Sequence, residues 1–343
     1  MDQENKRETS NIKSEQELGM NTFVFGAGAS IHAGYPLAKR MGNRLFRWME
    51  THGDEGPYSF RSTVEFLREE FECSEDIEQL LTSIDERITA GQNLRPRPSD
   101  VVLLCQCHKP TLIAAIRIWF VEIRQNEARD YATFAEQIVA PGDCTITFNY
   151  DVSLESALQK AGKWWLGDGY GFALGWVGTP SPVRVLKLHG SVNWRFPVGW
   201  NGRPWIDSIE VAFLGYPDRS DPLYRSAIAD GAGTMILPSK CKQFFTGTSF
   251  GRVHEEFWNH LWDQASLALN RCERIVVCGY SVPEVDARAC ELLLRGNYSA
   301  PIEVCCGTDT ESIVERFRSL GRDARAADQT HFDKWLNSRI PSD

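Results

Sequence analysis

Residues 21–36 read NTFVFGAGASIHAGYP. Phe23-Val24-Phe25 form a short apolar run typical of a buried strand, and Gly26 and Gly28 predict a tight turn that leads into a helix. In an α/β sheet the backbone N–H groups of such a turn hold a diphosphate; Gly28 would let the backbone approach it and Ser30 could donate a hydrogen bond. The run lacks the third glycine of GxGxxG, so by itself it favours nucleotide binding and a purely steric turn about equally.

Four later runs share this pattern of an apolar strand that ends in a polar turn. They show little polar alternation, as strands do in a parallel sheet covered on both faces, and they lead into helices. The sequence therefore predicts an α/β fold, a Rossmann-like doubly wound parallel sheet. The runs are CTITFNYD (144–151), VRVLKLHG (183–190), RIVVCGYS (274–281) and PIEVCCGTD (301–309).

Helical periodicity separates the first strand from the rest. Apolar residues recur every three or four positions between 62 and 90 and again after 101. We expect a helical insertion at about 50–135 inside a single domain that spans residues 21–343. Residues 1–20 are polar and mixed in charge, which predicts a disordered arm.

Composition excludes several classes of function. The chain has 46 acidic and 37 basic residues and a net charge of −9, so no direct duplex-DNA binding is expected, because that affinity rests on neutralising phosphates. The N-terminus lacks the apolar core of a signal peptide, and no apolar run approaches the roughly 20 residues of a membrane span. We therefore expect a cytoplasmic protein with no membrane segment.

Four motifs occur in the order found in sirtuins. GAGASIHAGYP (26–36) resembles the sirtuin cofactor loop, TFNYD (147–151) the T-x-N-x-D motif, KLHG (187–190) the catalytic L-H-G, and CGYS (278–281) stands at the place of G-T-S. Longer strings resemble a divergent branch, the sirtuin-like NAD hydrolases of bacterial antiphage defence. These strings are IEQLL (77–81), KLHGSVNW (187–194) and GYSVPEVD (279–286).

The resemblance implies NAD as substrate and assigns residues to it. Cleavage of the nicotinamide–ribose bond leaves an oxocarbenium-like sugar. Asp151 would bind the carboxamide, Asn149 would bind ribose hydroxyls or position water, and His189 would act as general base, directly or through a ribose hydroxyl. The residues expected to bind the rest of the dinucleotide are Gly26, Ala27, Gly28, Ser30, Pro36, Gly279, Ser281 and, at the adenine end, Thr308.

Two departures from the sirtuin pattern favour water as the acceptor. Leu37-Ala38-Lys39 replaces the Asp-Phe-Arg that follows the cofactor-loop proline, and only Cys241 lies between His189 and Arg271, where zinc-ribbon cysteines should stand. The ten cysteines include no CxxC pair, so we expect no zinc. The leading prediction is an NAD glycohydrolase that depletes cellular NAD during phage infection. The alternatives are an NAD-dependent protein deacylase or ADP-ribosyltransferase, and a non-catalytic nucleotide-sensing assembly subunit.

Structural explanations compete for several of these residues. His189 fits a hydrogen-bonded core histidine, and Asn149 and Asp151 fit a strand end that caps the next helix. His32 fits a solvated helix residue as well as a cofactor contact. His254 and His260 are six residues apart on a predicted helix. They therefore do not share one face of it, and metal binding is disfavoured.

Regulation implies partners. Only 34 residues follow Asp309, where the predicted sheet ends, which is short of the roughly 50 residues of a small sensor domain. We therefore expect a homo-oligomer, a separately encoded partner such as an ATPase or a phage-sensing protein, or both.

Overall fold

The computed structural model describes most of the chain. The N-terminal arm predicted at 1–20, apart from Met20, lies outside the described residues, as does Cys241. The described residues are 20–55, 58–71, 75–92, 100–123, 127–172, 179–195, 210–211, 235–236 and 251–340.

Six parallel strands form the central sheet, in the order β6-β5-β4-β1-β2-β3. This is the doubly wound order 3-2-1-4-5-6 of dinucleotide-binding sheets, with its switch point between β1 and β4. The predicted fold class is confirmed. The strands are β1 Asn21–Phe25, β2 Cys144–Thr147, β3 Arg184–Lys187, β4 Arg274–Cys278, β5 Ile302–Cys305 and β6 Ala324–Ala326.

The prediction that the sheet ends near Asp309 is wrong, because β6 pairs with β5 beyond it. The strand has three residues and its central Arg325 is exposed, as suits an edge strand. So short a stretch lacks the apolar run that marks the other five strands.

The helices of the described residues cover both faces of the sheet. Phe23 and Phe25 pack against Phe134 on one face, whereas the Thr22 hydroxyl donates to the Ala268 carbonyl on the other. The α-helices are α1 Met41–His52, α2 Phe60–Glu70, α3 Ile77–Gln92, α4 Asp100–Ile123, α5 Arg129–Thr133, α6 Ser153–Lys160, α7 Gly251–Arg271, α8 Ala287–Arg295, α9 Thr310–Ser319 and α10 Phe332–Arg339. A π-helical turn at Phe134–Ile138 continues α5, and short antiparallel pairs join Asp54–Glu55 to Tyr58–Ser59 and Trp194–Arg195 to Glu210–Val211.

Helices α1 to α4 bury an apolar cluster separate from that of the sheet. Within the described residues, α4 alone is long and apolar enough to cross a membrane, although the sequence predicted no such run. More than half of its most apolar window is buried inside the molecule. Its buried Arg117 also donates to the carbonyls of Val192 and Trp194. In this fold α4 is therefore the core helix of the insertion.

The helix predicted after the glycine turn begins as a 3-10 helix, and an α-helix follows only later. Ala27–Ala33 form a 3-10 helix that ends at Gly34, whose φ is 92°, and a second 3-10 turn spans Ala38–Arg40. Gly34 and Pro36 interrupt the helical hydrogen bonds, so α1 begins only at Met41. A cofactor phosphate at this turn would meet the backbone of a 3-10 helix.

Candidate functional site

A cavity of about 670 Å³ opens where the strands end at the switch point. In the strand register Phe25 of β1 is paired with Thr147 of β2 on one side and with Cys278 of β4 on the other. Thr147 is paired in turn with Lys187 of β3. The segments that follow these strands therefore meet at one edge. Of the eleven residues predicted for the site, all but Gly26 line the cavity: Ala27, Gly28, Ser30, Pro36, Asn149, Asp151, His189, Gly279, Ser281 and Thr308.

Backbone contacts build one end of the cavity, which we call the glycine end; Gly28 and Gly279 line it, and Gly26 precedes Gly28 in the same turn. The Gly26 amide donates to the Cys278 carbonyl at 3.1 Å, and the Gly28 amide donates to the Gly279 carbonyl at 2.9 Å. A Cβ on Gly28 would lie 2.8 Å from the Gly279 Cα. Gly279 has φ +62°, and a Cβ there would lie 2.3 Å from the Ala29 nitrogen. The two loops touch only because these residues have no side chains.

The loop after Gly279 is strained and anchored. Val282 is fully buried with φ 49°, a region that β-branched residues rarely adopt. Arg316 holds it there, since its Nη1 donates to the Val282 carbonyl at 2.7 Å and to the Ser281 carbonyl at 3.3 Å. This anchoring fixes the path from Gly279 to Asp286.

Side-chain hydrogen bonds build the opposite end, the polar end (Ser30, Asn149, Asp151 and His189). Ser30 Oγ is its hub: it donates to Asp151 Oδ2 at 2.9 Å and lies 3.0 Å from Asn149 Nδ2 and 2.9 Å from the Tyr131 hydroxyl. A serine hydroxyl has one proton and two acceptor sites. Since the proton goes to Asp151, Tyr131 and Asn149 both donate to Ser30, and a phosphate contact by Ser30 would require exchange of the bond to Asp151.

The same network fixes the side-chain amide of Asn149. Its Nδ2 donates to the Gly26 carbonyl at 2.9 Å as well as to Ser30 Oγ, which uses both amide protons. If the amide were flipped, its Oδ1 would face the Gly26 carbonyl oxygen and Ser30 Oγ, neither of which has a proton to donate to it. Asn149 therefore offers the cavity its Oδ1, an acceptor for a ribose hydroxyl or a water proton.

Asp151 is both a cavity residue and a helix-terminal one. Its Oδ1 accepts the Ser153 amide at 3.0 Å, at the start of α6, as its position in the sequence suggested. The Lys187 ammonium donates to the Asp151 carbonyl and lies 2.9 Å from Glu155 Oε1. Lys187 and Glu155 are both fully buried. An ion pair thus supports the floor of the polar end.

His189 is buried against a carboxylate that the sequence analysis left without a role. Its Nε2 lies 2.7 Å from Asp286 Oδ2, and their side chains are 8% and 2% exposed. Asp286 also accepts from the Tyr280 hydroxyl at 3.1 Å. The ring of Phe148 packs edge-on against the imidazole. His189 is therefore a hydrogen-bonded buried histidine that also lines the cavity.

Burial keeps several cavity groups neutral. It raises the pKa of the Tyr150 and Tyr280 hydroxyls well above the usual value, and that of Tyr131, where the charge of Asp151 adds to the effect. Burial also raises the pKa of the Cys306 thiol to about 12. Cys306 is therefore a thiol rather than a nucleophilic thiolate at neutral pH.

His32 lies outside the cavity lining. Its Nδ1 is 3.4 Å from Asp130 Oδ2 and its ring packs against Tyr131. Burial lowers the pKa of His32 against the opposing charge of Asp130. His254 falls where side chains lie outside the described residues, and the exposed His260 has Nε2 3.1 Å from the Gly171 carbonyl.

Several side chains join the site without having been predicted there, and three of them are polar groups placed by helices. Tyr131 reaches Ser30 from α5, Asp286 reaches His189 from the start of α8, and Glu78 lines the cavity from α3. Glu78 and Asp286 stand in the IEQLL and GYSVPEVD strings, which could have pointed to them. Nothing in the local sequence distinguishes Tyr131.

Comparisons with known proteins add little to this geometry. Within the described residues no group of three or more His, Cys, Asp or Glu side chains could hold a metal. No protein-family model matches the chain, and no curated protein matches it. One solved structure that it resembles is described as "Structural Basis for the Mechanism and Regulation of Sir2 Enzymes", at 14% identity over 88% of this chain and 94% of that chain, with a TM-score of 0.33. A likeness this distant carries no argument about chemistry.

Proposed function

We propose that the chain is an NAD glycohydrolase that cleaves the nicotinamide–ribose bond of NAD to give nicotinamide and ADP-ribose. The observation that carries this proposal is one cavity with two unlike ends at the switch point of a doubly wound sheet. Ligands of such sheets bind in this crevice. The volume of about 670 Å³ falls among ligand sites, which run from about 300 to 1,000 Å³.

The glycine end suits the diphosphate. Gly28 and Gly279 bring the turns after β1 and β4 into contact beside the cavity that both residues line, and dinucleotide-binding sheets hold the diphosphate at the turn after the first strand. Thr308 and Ser281 also line the cavity and are exposed, and we assign the adenosine to them. Their hydroxyls can donate to and accept from a ribose or a base.

The polar end suits the reacting sugar. When the glycosidic bond breaks, its electron pair leaves with neutral nicotinamide and positive charge develops on the ribose. The Asp151 carboxylate and the Asn149 Oδ1 present electron-rich oxygens to that charge. A water that attacks the anomeric carbon gives its proton to His189, and a positioned base of this kind contributes about 10²–10⁴-fold.

The test is incubation of the purified chain with NAD and no peptide, followed by quantification of nicotinamide and ADP-ribose. We expect both products in equal amounts, and a loss of about 10²–10⁴-fold in kcat for His189→Ala and Asn149→Ala. His260→Ala, an exposed histidine outside the cavity lining, is the matched control and should retain activity. Melting curves of each variant separate lost chemistry from lost folding.

Two results would contradict the proposal. Turnover that appears only with an acylated peptide would indicate the deacylase alternative. Stoichiometric NAD binding without turnover, at every protein concentration tested, would indicate the nucleotide-sensing alternative.

The proposed antiphage role rests on the motif resemblance. Its test is the NAD content of phage-infected cells, which should fall in cells that express the wild-type chain and not in cells that express His189→Ala. An oligomer or a separately encoded partner that controls activity belongs to the same proposal and is tested by light scattering with and without NAD.

A further inference from the structure

We propose that Asp286 is a positioning residue for His189 and makes Nδ1, rather than Nε2, the nitrogen that accepts the proton. The chemistry of this inference rests on the proposed function. Its geometry does not, because it follows from the hydrogen bond between the two side chains.

The first step is the identity of the protonated nitrogen. Asp286 Oδ2 lies 2.7 Å from His189 Nε2. An ionised carboxylate can only accept, so the hydrogen of this bond belongs to Nε2, and the lone pair of the neutral imidazole is then on Nδ1. The partner of one ring nitrogen thus determines the role of the other.

The second step is that Asp286 is held in place independently of His189. Its Oδ1 accepts the Ala289 amide at 3.3 Å, at the first turn of α8, and its Oδ2 accepts the Tyr280 hydroxyl. The strained Val282, held by Arg316, fixes the loop that precedes Asp286. A carboxylate fixed by the fold can orient an imidazole at little entropic cost.

The third step is what the pair does during the reaction. The C1′–N bond breaks and its electron pair leaves with nicotinamide, while the oxygen of water bonds to C1′. The proton that the water loses passes to Nδ1, and the imidazolium that results is stabilised by the negative charge of Asp286. The proton is then released to solvent, so the balance is NAD⁺ and water to nicotinamide, ADP-ribose and one proton.

The competing explanation is that Asp286 only caps α8. Asparagine is as good a cap as aspartate, so Asp286→Asn keeps the bond to the Ala289 amide. It removes the negative charge, and its amide can donate to Nε2, which would move the imidazole hydrogen to Nδ1. The substitution therefore separates a capping role from the orientation of His189.

The experiment measures kcat, KM and the imidazole tautomer in wild type and Asp286→Asn. We expect kcat to fall by about 10²–10⁴-fold with KM changed by less than about threefold. Long-range ¹H–¹⁵N spectra, assigned with His189→Ala, should show the hydrogen on Nε2 in wild type and on Nδ1 in Asp286→Asn. The control is Asp130→Asn, the same change in the His32–Asp130 pair outside the cavity lining, which should leave kcat within about threefold.

Two outcomes would overturn the inference. One is an active wild type whose kcat survives Asp286→Asn within about threefold. The other is a wild-type spectrum with the hydrogen on Nδ1, whatever the activity. A wild type that does not hydrolyse NAD overturns the proposed function and the catalytic part of this inference, while Nε2–H in its spectrum still supports the pairing.

Discussion

The glycine end and the polar end of the cavity are built in opposite ways. At the glycine end, Gly28 and Gly279 approach so closely that a methyl group on either would meet backbone atoms within 3 Å. At the polar end, hydrogen bonds use the Ser30 proton and both amide protons of Asn149. The glycine end therefore depends on the absence of side chains, whereas the polar end is built from side chains that hydrogen-bond to each other.

This difference determines what each end can offer a ligand. The glycine end offers the turn after β1, where dinucleotide-binding sheets hold a diphosphate. The polar end offers mainly acceptors, namely Asn149 Oδ1, the Asp151 carboxylate and one imidazole nitrogen. Acceptors suit a sugar that becomes positively charged, so the reaction is expected to depend on the polar end and the affinity on the glycine end.

The largest expected effect is on the ion pair beneath the polar end. Lys187→Met leaves Glu155 buried without its counter-charge, and breaking such a pair costs about 3–5 kcal/mol. Burial raises the pKa of Glu155 above its ordinary value of 4.5, and Lys187 opposes that rise. Without Lys187 the pKa rises further, the folded state binds more protons than the unfolded state above pH 4.5, and its stability falls as pH increases through that window.

Urea unfolding of wild type and Lys187→Met at about pH 5 and about pH 7.5 checks this prediction. The loss of unfolding free energy should be smaller at the lower pH. Arg295→Met is the control, because Arg295 pairs with Glu291 while their side chains are 71% and 66% exposed, and it should cost about 1 kcal/mol or less. An equal loss at both pH values would contradict the assignment to Glu155.

The next effect tests the close approach at the glycine end. Gly279→Ala imposes a left-handed alanine, at about 1–2 kcal/mol, together with overpacking against Ala29 of about 1–3 kcal/mol. Gly142 has φ +95° and nothing within 4 Å of its Cβ position, so Gly142→Ala isolates the first cost. We expect unfolding free energy to fall by about 3 kcal/mol for Gly279→Ala and about 1 kcal/mol for Gly142→Ala.

Thermal or urea unfolding measures the two costs, and calorimetric titration with NAD measures affinity. Affinity should fall for Gly279→Ala and not for Gly142→Ala. An equal loss of stability in the two variants would contradict a close contact between the two loops.

The sequence was sufficient for most of the fold because buried parallel strands are continuous apolar runs. Five of the six strands were predicted from such runs, and β6 was missed because Ala324-Arg325-Ala326 is an edge segment with little to bury. The helix predicted after the glycine turn is divided into a 3-10 helix and α1, because Gly34 and Pro36 interrupt the helical hydrogen bonds between them. Local periodicity cannot show that a turn will be completed by 3-10 helix.

The placement of site residues followed from topology, since residues after parallel strands share one edge. Their partners could not be predicted in the same way. Tyr131 is 101 residues from Ser30 and meets it only through packing of α5 on β1. Asp286 is locally an ordinary helix cap. Its contact with His189 depends on loops held by Val282 and Arg316.

The smallest expected effect tests whether the hydrogen bonds among the side chains of the polar end influence kcat. Tyr131→Phe leaves one acceptor site of the buried Ser30 hydroxyl unpaired, which costs about 1 kcal/mol, and frees Ser30 to turn away from Asn149. The kcat should fall, by less than about tenfold. Tyr298→Phe removes a similar buried bond, to the Leu293 carbonyl, outside the cavity lining. It should lose similar stability by urea unfolding but no rate. If both variants keep full kcat, the Tyr131 hydroxyl does not contribute to the orientation of Asn149.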